Sequence, residues 1–154
     1  MDPIALNLHQ EGSERDPFTE SRYEQFASFL PAGPLKVLDV GCNTGRGGAV
    51  LKRVRPEIEL HGLDLLQSRL DRLPRDVYSG TVCGSATQVP TADESFDAIV
   101  AGEFIEHLLP IDAHRFVADA FRVLKVRGRL LLTTPNPQDI KLLLRSGTIL
   151  GGAH

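Results

Sequence analysis

Cysteine is scarce in this 154-residue chain, and a net basic charge and a long apolar run are absent; each of these features excludes or disfavours a class of protein. The two cysteines, Cys42 and Cys83, are too few for a disulfide framework, and no CxxC pair suggests a zinc site. No apolar run approaches the roughly 18 residues that a membrane-spanning helix needs. The first residues show no basic stretch followed by an apolar one. We therefore expect no secretory leader and a reducing, cytoplasmic setting.

The charge balance disfavours a protein that binds nucleic acid. Lys and Arg total 17 against 20 for Asp and Glu, a formal net charge of −3 at pH 7, whereas nucleic-acid-binding domains are usually basic. Hydrophobic residues make up 42% of the chain and charged residues 24%, which is ordinary for a folded domain and excludes disorder as the main state. The length predicts a single domain at 17–154, preceded by a flexible polar arm at 1–16.

Segments typical of strands and of helices alternate along the chain. A helix is predicted over 17–30, with Asp16 as its N-cap and Pro17 in the first turn. The predicted strands are 36–40, 57–63, 77–83, 96–101 and 129–134. The other predicted helices are 47–54, 65–73, 112–124 and 138–145. This alternation predicts a Rossmann-like, doubly wound α/β fold with a mostly parallel sheet, which binds ligands beyond the carboxyl ends of its strands.

The most informative segment is the glycine-rich loop at 41–48, which follows the first strand and opens a helix. Its order, G-x-x-x-G-x-G, differs from the G-x-G-x-x-G of dinucleotide-binding folds, and the Gly-Lys-Ser/Thr of a P-loop is absent. The first strand carries an acid, Asp39, which disfavours a pyrophosphate at the loop. A second acid, Asp64, follows the second strand, where a carboxylate can accept both hydroxyls of a ribose. The alternative is that the glycines only form a turn and Asp64 only caps a helix.

Three ionisable side chains follow the fourth strand, in Glu103-Phe-Ile-Glu106-His107. Spacings of three and four residues would place them on one helical face, toward the ligand crevice. Three interpretations stay open. Glu103 or His107 acts as a general base toward a hydroxyl acceptor, the three side chains ligate a metal ion, or they brace the loop by hydrogen bonds.

Taken in order, four segments resemble the class I S-adenosylmethionine-dependent methyltransferases: VLDVGCNTGRGG, HGLDL, CGSATQVPTADESFDAIVAGEFIEHL and GRLLLTTPNP. The resemblance covers roughly residues 35–137 and implies strand order 3-2-1-4-5 with S-adenosyl-L-methionine as cofactor. The cofactor-binding residues that it implies are Asp39, Gly41, Cys42, Asn43, Gly45, Asp64, Leu65, Ser85, Ala86 and Glu103. Within that set, Asp39, Gly41 and Gly45 would line the methionine part, and Asp64 would bind the ribose. Ser85 stands where many members carry an acid that reaches the adenine amino group, and a serine would bind it more weakly.

The E-x-x-E-H pattern resembles two groups of that family. One contains the ubiquinone-biosynthesis O-methyltransferases and other small-molecule enzymes. In the other, the small-RNA 3′-end 2′-O-methyltransferases, the pattern ligates magnesium or manganese with a further histidine, which here would be His154. We expect methyl transfer to a small molecule, most simply at a hydroxyl, with His107 and Glu103 as candidate catalytic residues. The alternatives are a cofactor-binding module without independent catalysis and a metal-dependent RNA 2′-O-methyltransferase.

The segment after the fifth strand is short compared with that family. Members usually continue with an antiparallel strand pair, whereas KLLLRSGTILGGAH is typical of a helix and a loop. We therefore expect a five-stranded sheet that lacks this pair, or a C-terminally truncated domain. The fifth strand would then be an exposed edge, from which we expect self-association into a homo-oligomer. Asn136, between two prolines, is a weaker candidate for substrate contact than for a turn residue.

Overall fold

The computed structural model describes residues 16–136. Its strands are β1 Lys36–Val40, β2 Glu59–Asp64, β3 Gly80–Cys83, β4 Phe96–Gly102 and β5 Leu124–Thr133. Its helices are α1 Thr19–Phe29, α2 Arg46–Val54, α3 Gln67–Leu70 and α4 Pro110–Val123, with a 3₁₀ turn at Ile105–His107. No helix in this part of the chain is long and apolar enough to traverse a bilayer. Residues 1–15 of the arm predicted at 1–16, the helix predicted at 138–145 and His154 lie outside the described residues.

The sheet has the predicted topology. All five strands are parallel and lie in the order β3-β2-β1-β4-β5. The chain runs outward from β1 through β2 to β3 and then returns to β4 on the other side of β1. Strand order therefore switches direction between β1 and β4, and the carboxyl edge beside such a switch point is where doubly wound sheets have their ligand crevice.

Alternation along β1 divides its side chains between two cores. Successive side chains of a strand point to opposite faces, so Val37 and Asp39 share the face covered by α1 and α2. Leu38 and Val40 share the face covered by α4. The sheet is thus covered on both sides, and one carboxylate lies inside an apolar core.

Helix α2 packs closely because its first turn has two glycines. A Cβ atom at Gly47 would lie 2.1 Å from the Tyr23 ring, and one at Gly48 would lie 2.0 Å from the Tyr78 hydroxyl. Any side chain at either position would push the helix away from these tyrosines. The glycines after the loop therefore serve close packing.

Two predicted helices have the wrong boundaries, because a carboxylate accepts a hydrogen bond from a backbone N–H just before the start of each. The helix predicted over 17–30 begins at Thr19, since the Asp16 carboxylate accepts the Phe18 N–H at 2.9 Å and closes a preceding turn instead of acting as N-cap. The helix predicted over 65–73 has only four residues, α3. Its start is delayed because Asp64 accepts the Leu66 N–H at 2.9 Å.

The third and fifth strands also differ from prediction. Strand β3 begins only at Gly80, because Tyr78 turns its side chain into the core, where its hydroxyl donates to Asp39. Strand β5 begins at Leu124 and runs through the turn predicted at Gly128. It does so through an irregular stretch in which its register against β4 shifts and Arg127 has a φ of 67°.

Candidate functional site

The carboxyl edge of the sheet gathers the predicted site residues. The loop 41–45 follows β1, Asp64 ends β2, Ser85 follows β3 and Glu103 follows β4. Parallel strands end at a common edge, so this gathering is a direct consequence of the topology.

The loop after β1 is a tight turn held against β2. Gly41 and Gly45 have φ values of 68° and 83°, which residues with a Cβ atom rarely adopt. The N–H groups of Gly41 and Cys42 both donate to the carbonyl oxygen of Leu63, at 2.9 and 3.2 Å. The Cys42 side chain is buried, and this burial raises the pKa of its thiol. The loop therefore presents its backbone, and not a reactive sulfur, to the crevice.

Asp64 is buried and braces this loop. Its Oδ2 atom accepts the Asn43 N–H at 3.2 Å, and its Oδ1 atom accepts the Leu66 N–H at 2.9 Å. The Arg69 guanidinium lies 3.6 Å from Oδ2, and the adjacent Leu65 is half-buried. Each carboxylate oxygen has a second lone pair, so Asp64 can accept further hydrogen bonds while it holds the loop.

Asp39 lies beneath the loop. Its side chain is 0% exposed, and its two oxygens accept hydrogen bonds from the hydroxyls of Tyr23 and Tyr78, each at 2.7 Å. Burial raises the pKa of Asp39 to about 6, although both hydrogen bonds oppose the shift. Through these two hydrogen bonds the Asp39 carboxylate links α1 and the segment before β3 to β1, beneath the loop. Its expected contact with the methionine part of a cofactor stays a prediction.

Ser85 and Ala86 follow β3 at the other end of the crevice. The Ser85 hydroxyl lies 2.7 Å from that of Thr87 and accepts the Thr87 N–H at 3.1 Å. Ala86 is buried in the core on the α4 side. The serine therefore shapes a local turn, and its expected adenine contact stays a prediction.

The segment after β4 is not the α-helix that the residue spacing suggested. Glu103 has a φ of 52°, and only a 3₁₀ turn follows it. Glu103, Glu106 and His107 are therefore not aligned on one helical face. No group of three metal-ligating side chains occurs in the described part of the chain. The metal interpretation gains no support there, and His154 lies outside it.

Burial shifts the protonation of two groups in this segment. It raises the pKa of Glu106 to about 7, and the charge of Glu103 adds to that shift. The Oε2 atom of Glu106 is buried without a hydrogen-bond partner among the described residues. Partial loss of water around the ring lowers the pKa of His107, against the opposing charge of Glu103. A neutral imidazole at neutral pH can accept a proton.

Two features of the site could not be predicted from the sequence. The Phe104 ring covers the loop, 2.8 Å from where a Cβ atom on Gly41 would lie. Arg22 of α1 bridges two acids, with Nη1 2.6 Å from Asp16 Oδ2 and Nε 3.4 Å from Glu103 Oε1. Helical periodicity indicates which face of α1 is buried, but it carries no signal for a partner on a distant strand.

Comparison with known proteins defines the class. Residues 38–132 match the family model described as a methyltransferase domain. The chain belongs to this methyltransferase family.

Relatives support this assignment. The demethylmenaquinone methyltransferase of Thermotoga maritima is 34% identical over 113 residues, which cover 73% of this chain and 48% of that protein. The mitochondrial ubiquinone biosynthesis O-methyltransferase of Mus musculus is 30% identical over 148 residues, covering 89% and 40%. This chain therefore spans less than half the length of these two curated relatives. The solved PH0226 protein of Pyrococcus horikoshii has the same fold, with a TM-score of 0.72 at 20% identity over 90% of this chain and 64% of that one.

Proposed function

We propose that the chain binds S-adenosyl-L-methionine in the crevice and transfers its methyl group to a small molecule, most simply to a hydroxyl. The observation that carries this proposal is the buried Asp64 carboxylate, held at the end of β2 against the left-handed loop 41–45. Membership of the methyltransferase family supports it, as do the two relatives whose names describe methyl transfer.

The residues at the crevice fit an adenosyl ligand. The Asp64 carboxylate accepts hydrogen bonds and cannot donate them, which matches the two hydroxyl donors of a ribose. The space that a Cβ atom on Gly41 would occupy is taken by the Phe104 ring, which forms a wall beside the backbone of the loop. The proposed contacts remain those of the family resemblance: Asp39, Gly41, Cys42, Asn43, Gly45, Asp64, Leu65, Ser85, Ala86 and Glu103.

The chain's own contribution to the chemistry is alignment and proton removal. When bound, S-adenosylmethionine supplies a methyl group on a positive sulfur; the C–S bond breaks with its electron pair left on sulfur, and a C–O bond forms. Good alignment of the reactants corresponds to an effective molarity of about 10⁵ M or more. His107 or Glu103 accepts the proton that the acceptor hydroxyl releases.

Two further expectations accompany this proposal. Cys42 is buried and Cys83 exposed, both as free thiols, which supports a reducing, cytoplasmic setting. The net charge of −3 supports a small-molecule partner over a nucleic acid.

Methyl transfer is tested with methyl-labelled S-adenosylmethionine and a panel of small hydroxyl compounds, with mass detection of products. We expect a methylated product and S-adenosylhomocysteine in equal amounts. His107→Asn should lower kcat about a hundredfold or more if the imidazole is the base. His114→Asn makes the same change at an exposed position of α4 and should have no effect.

The transfer activity and the role of His107 as base would be contradicted by different results. No methylated product from any hydroxyl compound, despite binding of S-adenosylhomocysteine, would contradict the transfer activity. An unchanged kcat in His107→Asn would remove the imidazole as base and leave the activity intact.

A further inference from the structure

The two tyrosines of this chain, Tyr23 and Tyr78, meet at one carboxylate. Their hydroxyls donate to Oδ1 and Oδ2 of Asp39, each at 2.7 Å. Tyr23 comes from α1, Asp39 from β1 and Tyr78 from the segment before β3, and all three side chains are buried. We call these three residues the tyrosine bridge. It joins parts of the chain that are distant in sequence at a single point beneath the loop after β1.

The Tyr78 ring lies beneath the second half of that loop, where three glycines leave room for it. A Cβ atom at Gly45, the residue before α2, would lie 3.0 Å from Tyr78 Cε2. A Cβ atom at Gly48, in the first turn of α2, would overlap the Tyr78 hydroxyl, and one at Gly62 of β2 would lie 3.2 Å from Cδ1. The loop, α2 and β2 therefore all contact this ring, and its hydroxyl lies against the start of α2.

The Tyr23 ring supports the start of α2 from another side. A Cβ atom at Gly47 would overlap this ring. At Gly102, the last residue of β4, a Cβ atom would lie 3.2 Å from Tyr23 Cε2 and 3.5 Å from its hydroxyl oxygen. Phe26 of α1 packs edge-on against the ring, with 5.3 Å between the ring centroids. The two rings of the tyrosine bridge thus contact consecutive residues of α2, Gly47 and Gly48, and fix its first turn.

The two halves of the loop have different supports. Asp64 accepts the Asn43 N–H at 3.2 Å, so the first half is held by the carboxylate to which the ribose is assigned. Gly45 and the first turn of α2 pack instead on the tyrosine bridge. Gly45 is one of the residues that the family resemblance assigns to the methionine part of the cofactor. The tyrosine bridge therefore bears on the amino-acid half of the ligand, and Asp64 on the adenosyl half.

The hydroxyls give the tyrosine bridge its direction. Burial raises the pKa of both phenols well above the ordinary value of 10.0, so both remain donors at neutral pH. A phenylalanine at either position would retain the ring but leave one oxygen of the buried Asp39 carboxylate without its donor. The ring would then no longer be tied to β1, and the first turn of α2 that rests on it would lose its fixed position.

We propose that Tyr23 and Tyr78 are positioning residues for the amino-acid half of S-adenosylmethionine. Through Asp39 they hold Gly45 and the start of α2 in the place from which the loop receives that half of the ligand. This inference rests on the proposed function, which supplies the ligand. Both rings are buried beneath the loop and act on the ligand through the loop backbone. A small displacement of that backbone is enough to weaken binding, because alignment is sensitive to shifts of about 1 Å.

Two ligands that differ only at the amino-acid end test this role. S-adenosylhomocysteine and 5′-methylthioadenosine share the adenosine half, but only the first carries an ammonium and a carboxylate group. Their binding is measured by calorimetry at pH 7 on the full chain. We expect Tyr78→Phe to weaken S-adenosylhomocysteine binding about tenfold and 5′-methylthioadenosine binding by less than about twofold. Tyr23→Phe should change the two affinities in the same unequal way.

Two further variants separate positioning from a loss of stability. Asp64→Ala should weaken both ligands to the same extent, because both carry the ribose. Val123→Ala removes buried methyl groups from the core on the α4 side, away from the tyrosine bridge, and destabilises the fold. It should leave both affinities unchanged. Urea unfolding of each variant identifies those that are folded under the titration conditions, and Tyr23→Phe decides the test if Tyr78→Phe is not.

The outcomes separate this inference from the proposed function. If both phenylalanine variants bind S-adenosylhomocysteine as tightly as the unmodified chain, or weaken the two ligands equally, the inference is overturned and the proposed function stands. The same holds if Val123→Ala loses as much S-adenosylhomocysteine affinity as Tyr78→Phe. If the unmodified chain does not bind S-adenosylhomocysteine, the proposed function fails and the inference fails with it.

Discussion

The carboxylate of Asp39 combines full burial with hydrogen bonds to both of its oxygens. An unpaired carboxylate in a core is strongly unfavourable, and the hydroxyls of Tyr23 and Tyr78 offset part of that penalty. The part of the burial penalty that is not offset raises the pKa of Asp39 to about 6, above the ordinary value of 3.8. The folded protein therefore retains this proton to a higher pH than the unfolded chain does.

The stability of the fold should depend on pH through this residue. Because the folded-state pKa is the higher one, stability falls as pH rises from 3.8 to about 6 and is constant above that range. A shift of this size corresponds to about 3 kcal/mol in full. Asp39→Asn removes the ionisation. The free energy of unfolding of this variant, minus that of the unmodified chain, should therefore be about 2 kcal/mol higher at pH 7.5 than at pH 4.5.

Urea denaturation at the two pH values measures this difference. Asp71→Asn, at an exposed position beyond α3, is the matched control and should show no such pH-dependent gain. If Asp39→Asn and the unmodified chain differ in unfolding free energy by the same amount at both pH values, the raised pKa of Asp39 is contradicted.

Sequence predicts the position of Asp39 but not its surroundings. The alternation of β1 places it on the face of Val37, and this follows from local pattern alone. Its partners lie 16 and 39 residues away in sequence, on α1 and before β3. No local pattern indicates that two tyrosine hydroxyls from different elements meet at one carboxylate.

On the scale of elements, the close packing of α2 depends on the space beside Gly48. Glycine to alanine in a helix ordinarily stabilises by roughly 0.5–1 kcal/mol. Gly48→Ala should instead destabilise by about 1–3 kcal/mol, because its Cβ atom would lie 2.0 Å from the Tyr78 hydroxyl. Thermal or urea unfolding gives the sign directly. A stabilised Gly48→Ala variant would show that α2 tolerates displacement from Tyr78.

Strands were predicted better than loops for a physical reason. Apolar runs and their periodicity are local, and they located all five strands of the sheet. Helix starts depend on single bonds such as Asp16 to Phe18, which shift a boundary by a few residues. The conformation of Glu103 depends on Thr133 and Arg22, which come from other elements. Helical spacing after β4 was therefore misleading.

For the whole molecule, the strand order decides what meets at the crevice. β1 and β4 are neighbours, so the loop 41–45 and Glu103 lie at one edge although they are distant in sequence. Among the described residues β5 pairs on one side only, and it exposes 80% of Val126 and 37% of Leu132. Self-association through this edge stays a prediction.

We propose that the loop 41–45 and Asp64 together hold an adenosyl ligand. Calorimetric titration of the chain with S-adenosylhomocysteine tests it most directly. We predict one site per chain, weakened by roughly 2 kcal/mol in Asp64→Ala through loss of two hydrogen bonds and unchanged in Asp71→Ala. Neither NADH nor ATP should displace the ligand. No binding at millimolar S-adenosylhomocysteine, or displacement by NADH or ATP, would contradict the claim.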